Sequence, residues 1–175
     1  MKNNLFIKVS VLFLFCAMIS VSVNAQDIFV KGDKVVHAGI GVGSTYTTYG
    51  GSAIPIAASF EMCIKDNLFD DKSSLGVGAY FGFASKNSWT FIYPGVRGAL
   101  HYQFVEKLDT YAGLMIGIRH ISWGGDKSIY YSNSYTDLII PLFIGARYYF
   151  TDNIGGFAEL GPGIAWLQLG VAFKF

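Results

Sequence analysis

The chain has 175 residues, a formal net charge of +1 and no basic excess of the kind that nucleic-acid binding requires. It is 52 % hydrophobic and 17 % aromatic, but only 14 % charged. After residue 25 no apolar run approaches the roughly 20 residues of a membrane helix, which leaves a one-domain membrane protein that crosses with strands.

Residues 1–25 have the layout of a secretory signal. Lys2 and Lys8 supply a positive start, Val9–Ile19 a short apolar core, and Val23-Asn24-Ala25 a small-residue cleavage pattern before Gln26. Phe15 stands where a lipoprotein signal would place a small residue before Cys16, so lipid modification there is not expected. Losing the two lysines brings the mature domain, residues 26–175, to a net charge of −1. Cys63 is then its only cysteine, so no internal disulfide is expected. A buried thiol is the expectation for it, and neither metal nor cofactor is expected anywhere.

Period-two alternation predicts eight strands: Lys34–Thr45, Ile54–Ile64, Ser74–Ala84, Thr90–Phe104, Thr110–Ile121, Asp137–Phe150, Asn153–Gly161 and Ala165–Phe175. The fold class read from them is all-β, an antiparallel up-and-down transmembrane barrel. Val36, Ala38, Ile40 and Val42 lie on one face of the first strand. Ile56, Ala58, Phe60 and Met62 repeat the pattern on the second, and Leu138, Ile140, Leu142 and Ile144 on the sixth. The opposite faces are small or polar, with Gly39, Gly41, Gly43, Ser59, Gly76, Gly78 and His101 among them. Apolar-out and polar-in is the pattern of a membrane barrel. The sixth strand departs from it, since its inward Ile139, Pro141 and Phe143 are apolar.

Glu61, Arg97, Arg119, Arg147, Glu159 and Lys174 all fall on the inward face. An eight-stranded barrel has room inside only for side chains. Ions buried there singly would be costly, so these six are expected to pair as a polar plug, with His37 and His101 as members. Gly39-Ile-Gly-Val-Gly43 sits inside a strand pattern and opens no helix, so it is not a phosphate loop.

Trp89, Trp123 and Trp166 are placed near the external rim, and Phe173 and Phe175 toward the periplasmic end. Aromatic rings favour membrane interfaces because one part is apolar and another can meet water. The connections agree: Val105–Asp109 and Thr151-Asp152 are short and periplasmic, while Ser122–Thr136 is long and external. That loop carries Tyr130, Tyr131 and Tyr135 among Ser and Asn. Such a mixture makes adaptable contacts to a host molecule, partner or surface sugar, and it is also ordinary solvated loop.

The stretch G-A-R-Y-Y-F-T-D-N-I-G-G-F-A-E-L-G-P-G (145–163), followed by L-G-V-A-F-K-F, resembles the final hairpins of small outer-membrane barrel proteins. These include the OmpA-type barrel domain and its relatives in Bacteroidetes-like bacteria. The resemblance implies an eight-stranded outer-membrane barrel in contact with membrane lipid and lipopolysaccharide. It also implies that the strand ending at Phe175 addresses the chain to the barrel-assembly machinery. It implies no single activity, because this fold hosts adhesins, anchors and lipid-modifying enzymes.

Two readings of function follow. One is a structural or surface-binding barrel with a filled interior and no chemistry. The other rests on Arg119-His120-Ile121-Ser122-Trp123, where His120 and Ser122 share a lipid-facing strand face at the external end. This H-x-S spacing is similar to that of lipid A 3-O-deacylases of the PagL type, which implies Ser122 as nucleophile and His120 as base. Trp123 stands where that family has Asn, the pair lies on the fifth strand rather than late in the chain, and Asp126 and Asp137 are the nearest acids.

Overall fold

The computed structural model describes residues 29–44, 54–124 and 134–175. Residues 1–25, Tyr130 and Tyr131 lie outside the described residues. Alternation does what it should: Val35, His37, Ser59, Glu61 and Tyr80 are buried, while their neighbours Ile40, Ile56, Phe60 and Val77 are exposed. One face of each strand meets lipid and the other meets the opposite wall.

The strands are β1 (Lys34–Ser44), β2 (Ile56–Asp66), β3 (Ser73–Lys86), β4 (Trp89–Val105), β5 (Leu108–Trp123), β6 (Ser134–Ile139), β7 (Leu142–Tyr149), β8 (Ile154–Leu160) and β9 (Ala165–Lys174). Neighbours pair antiparallel, except that β6 and β7 both pair with β5, and β1 pairs with β9, from Val35 opposite Lys174 to Ser44 opposite Ala165. The ring is therefore closed, and closure removes the edges that an open sheet would expose.

Nine segments make eight crossings. β6 and β7 both pair with β5, and Gly117–Ile139 and Leu114–Leu142 keep one register across the break. Pro141 causes the interruption. It has no N–H to give the ladder, though its carbonyl still accepts from the Met115 N–H at 3.0 Å. This crossing begins at Ser134, three residues before the predicted start.

The turns fix the ends of the strands. Asn87 and Ser88 have φ of 49° and 69°, the signature of a type I′ hairpin between β3 and β4. Glu106 and Lys107 join β4 to β5, with φ of 62° at Lys107. This tighter turn moves Asp109 from the predicted loop into β5. The β2–β3 turn is tied by Asp70, which accepts from the Lys72 N–H at 3.1 Å and the Tyr102 hydroxyl at 3.0 Å. Desolvation opposes ionisation of that carboxyl, but these bonds and Ser73 outweigh it and hold it below its ordinary value.

One phase reversal departs from the sequence reading. Gly43 has φ of 71°, in the left-handed region, and Trp166 across the ladder is 56 % exposed. The alternation thus slips between Trp166 and Gln168, putting Ala165 inside and Trp166 outside. Gly43 was expected to face inward and is exposed.

Candidate functional site

The interior is stacked in three layers. The layer nearest the termini is built on Arg147, which is fully buried. Its Nη1 donates to Glu61 Oε2 at 3.1 Å, and its Nε is 2.6 Å from Asp109 Oδ2. His101 bridges the same two acids, with Nε2 3.0 Å from Glu61 Oε1 and Nδ1 3.0 Å from Asp109 Oδ2. His37 Nε2 lies 3.3 Å from Arg147 Nη1, and His37 Nδ1 lies 3.1 Å from Ser59 Oγ. One network thus joins β1, β2, β4, β5 and β7 across the lumen. Ions with so little water are tolerable only when paired, and here each acid meets both Arg147 and His101. Room comes from glycine: a Cβ on Gly76 would sit 2.7 Å from Glu61 Oε1 and 2.9 Å from His101 Nε2.

Phe29 closes this end. It precedes β1, turns into the lumen, and sets its ring 4.4 Å from the Arg147 guanidinium and 4.5 Å from the His101 ring. A cation over a ring face in a dry site gains about 1–2 kcal/mol. Phe29→Leu keeps the apolar bulk and loses that attraction. It should lower stability by about 1 kcal/mol in urea titration of the folded protein, with no change in the gel mobility of the folded form.

The middle layer is a second ion pair. Arg97 on β4 donates to Glu159 on β8 through Nη2 at 2.7 Å and Nη1 at 3.3 Å. The Tyr111 hydroxyl donates to the same carboxylate at 3.1 Å, and Phe143 lies 4.0 Å beneath the guanidinium. Gly145 makes space for Tyr111, since a Cβ there would be 2.5 Å from the ring. Tyr111 is buried inside the barrel.

The external layer is apolar. Tyr80, Phe91, Tyr93, Ile121, Phe143, Ile164 and Ala165 form one cluster. Ile164, from the turn between β8 and β9, is wholly buried and plugs the lumen from above. The Tyr80 hydroxyl accepts from Gln168 Nε2 at 2.8 Å below it.

Of the six inward charges read from sequence, Arg97 meets Glu159 and Arg147 meets Glu61, but the other two stand apart. Arg119 pairs with Asp137 directly opposite it on β6, near the external mouth. Lys174 sits at the other mouth, 3.9 Å from Asp33 and 5.4 Å from the Tyr149 ring centre. Twist and stagger put these two at different heights from the central pairs. Asp109 and Phe29 were missed by the sequence reading. Continuing the odd-numbered inward phase of β5 back from Tyr111 finds Asp109. Phe29 belongs to the apolar run 28–30 just before the first strand, which no strand uses.

The interface aromatics also divide. Trp166, Phe173 and Phe175 are exposed on the outside. Trp89 and Trp123 instead follow the inward phase at the external mouth, 6.2 Å apart, with Trp89 packed against the apolar cluster. They are a cross-strand pair facing the lumen side rather than lipid-facing anchors. Tyr135 opens β6 and is 56 % exposed.

His120 and Ser122 lie on the lipid side of β5 and are half-buried. His120 Nδ1 is 2.8 Å from Thr136 Oγ1, and the carboxylate of Asp137 is turned to Arg119. Thus no carboxylate among the described residues orients His120. Cys63 is buried, with its thiol 3.7 Å from the Phe29 carbonyl oxygen and 3.5 Å from that of Lys65.

No family model matches the chain, and no curated protein does. Solved structures do. Ail, the attachment invasion locus protein of Yersinia pestis, solved with the heparin analogue sucrose octasulfate, is 14 % identical with a TM-score of 0.54, over 83 % of this chain and 100 % of that one. The N-terminal β-barrel domain of Pseudomonas aeruginosa OprF is 17 % identical with a TM-score of 0.53, over 83 % and 98 %. With a closed ladder, an apolar outer wall and an interior filled by two polar layers and an apolar one, the chain has the fold of a small eight-stranded β-barrel of the bacterial outer membrane.

Proposed function

We propose that this protein is a non-conducting outer-membrane barrel whose role is structural or surface-binding. The observation that carries this is the continuous filling of the lumen: Phe29 and the Arg147 network, then Arg97–Glu159, then the apolar plug around Ile164. On this reading residues 1–25 are removed on export, and the strand ending at Phe175 is recognised by the barrel-assembly machinery. Lipid and lipopolysaccharide surround the exposed apolar wall.

Any surface ligand would meet the external end. The segments that join strands there carry few charges. Residues 45–55 have none, Lys86 stands at the β3–β4 turn, and Asp126 and Lys127 offset each other. Tyr46, Tyr49, Tyr130, Tyr131 and Tyr135 lie among Ser, Thr, Asn and Gly. Ail is described with a polyanionic sugar analogue; the sequence here suits a neutral glycan or protein surface better, through aromatic stacking and hydroxyl contacts. Cells displaying the protein should bind uncharged glycans or host protein better than sulfated ones. Tyr130→Ser with Tyr131→Ser should remove that binding. Stronger binding to sulfated glycans, or binding that survives the double change, would overturn the assignment.

Mass spectrometry of lipid A tests the chemical alternative. The expected spectrum is the same for cells with the intact protein, with Ser122→Ala and without the protein. Loss of an acyl chain only with intact Ser122 would make the protein an esterase.

A further inference from the structure

The outer wall is hollowed where neighbouring strands bring short side chains into one row. Across β4, β5, β7 and β8, Tyr102, Thr110, Ala146 and Ala158 stand opposite one another in the ladder. The next row toward the external end is Leu100, Ala112, Ile144 and Leu160. All eight follow the outward phase. The alanines and Thr110 fill less of the wall than the Leu100, Ile144 and Leu160 side chains on one side and the Tyr102 and Phe104 rings on the other. A groove of about 590 Å³ is left between them. Its cover is so thin that Tyr111 and Gly145, which are inward positions, also line it. The volume lies in the range of small-ligand sites, about 300–1,000 Å³.

Asp70 sets the height of the groove. A carboxylate at the end of a turn belongs outside the hydrocarbon, and the Tyr102 hydroxyl donates to this one at 3.0 Å. The Tyr102 row therefore lies at the membrane boundary on the side of the chain termini, where tyrosine rings settle. The Leu100 row lies one step deeper. The groove thus opens at the level of the headgroups and leads into the hydrocarbon.

Its chemistry and its place say what fills it. Each of the three polar side chains in the lining gives its hydroxyl proton to the protein. Tyr102 donates to Asp70, Thr110 to the Tyr102 carbonyl oxygen at 2.7 Å, and Tyr111 to Glu159 at 3.1 Å. The remaining surface is apolar and recognises shape, not charge. A second copy of the chain fits poorly. Two barrels related by a two-fold axis along the membrane normal set the same surface against itself at the same height. Two facing hollows would leave a void, and the atoms lining a void lose their contacts. A flexible apolar chain fills the groove, and it is continuous with the lipid that meets the rest of this wall. We infer that the groove holds one acyl chain of a glycerophospholipid from the leaflet on the side of the termini, recognised through the chain and not through the headgroup. The inference rests on the outer-membrane barrel fold above.

Native mass spectrometry of the full chain, refolded and released from phospholipid nanodiscs, counts the lipid that stays when activation strips the rest. One phospholipid per chain should persist, to the same extent from phosphatidylethanolamine as from phosphatidylglycerol. Ala158→Phe puts a ring into the groove and should lower the retained fraction several-fold. Ala38→Phe, on the exposed face of β1, should leave it unchanged. Should the Ala158 variant lack the folded gel band, Ala146→Leu takes its place. No persistent lipid, or retention that survives filling of the groove, would overturn the site. A lipid-free dimer that Ala158→Phe breaks would put a second copy there and overturn it too. Retention from only one of the two lipids would overturn recognition through the chain. Loss of the gel shift on boiling in the unmodified protein would instead sink the barrel reading itself.

Discussion

Arg147→Met should lower the stability of the folded barrel by about 3–5 kcal/mol, read as a fall in the urea midpoint for loss of the compact, unboiled gel band. The cause is not the loss of a favourable pair as such. Methionine fills much of the volume but leaves Glu61 and Asp109 buried, with only His101 between them. A buried pair contributes little net stability against an apolar replacement, whereas a single buried charge is expensive. Adding Glu61→Gln and Asp109→Asn to Arg147→Met should recover most of the loss, because no ion is then left unpaired. An Arg147→Met protein within about 1 kcal/mol of the parent, or a triple variant no better than the single one, would refute the network as described.

Gly113→Ala should be nearly as damaging, and Gly98→Ala should be harmless. The two glycines share the β4–β5 ladder, one residue out of register. A Cβ on Gly113 would stand 2.2 Å from the Gly98 carbonyl oxygen and 2.6 Å from the Phe143 ring. The first neighbour is backbone held by the sheet, so relief requires parting the strands. The second is packed beneath Arg97. A Cβ on Gly98 meets only the Gly76 carbonyl oxygen, at 3.9 Å. Overpacking of this kind costs about 3 kcal/mol, while Ala for Gly in an extended strand with space gains a few tenths through the unfolded chain. Urea titration of both variants in the same detergent should give midpoints on opposite sides of the parent. Midpoints that move together would contradict the close approach at Gly113.

The eight crossings could be read from sequence because lipid enforces alternation strictly: every second residue from Ile56 to Met62 or from Leu138 to Ile144 must be apolar. Phase is a local property, and it also placed Arg97, Arg147, Glu61 and Glu159 inside. Pairing is not local. Whether Arg119 meets Glu159 or Asp137 depends on strand stagger around the ring, which no single strand encodes. Phase itself failed at Gly43 and Trp166, where one left-handed glycine reverses the faces. For Trp89 phase was right, since it shares the odd-numbered inward face of Arg97 and His101; the preference of indole for the membrane interface pointed the other way. Asp109 was lost to a hairpin read too long, and Phe29 precedes the first strand, where alternation carries no information.

Single-channel recording of the refolded protein in planar bilayers tests whether the lumen is sealed. A lumen filled from Phe29 to Ile164 predicts a flat baseline at all voltages the membrane survives, from protein that shows the folded gel band. Stepwise ohmic conductance from that same material would contradict a sealed interior, and with it the structural or surface-binding role proposed here.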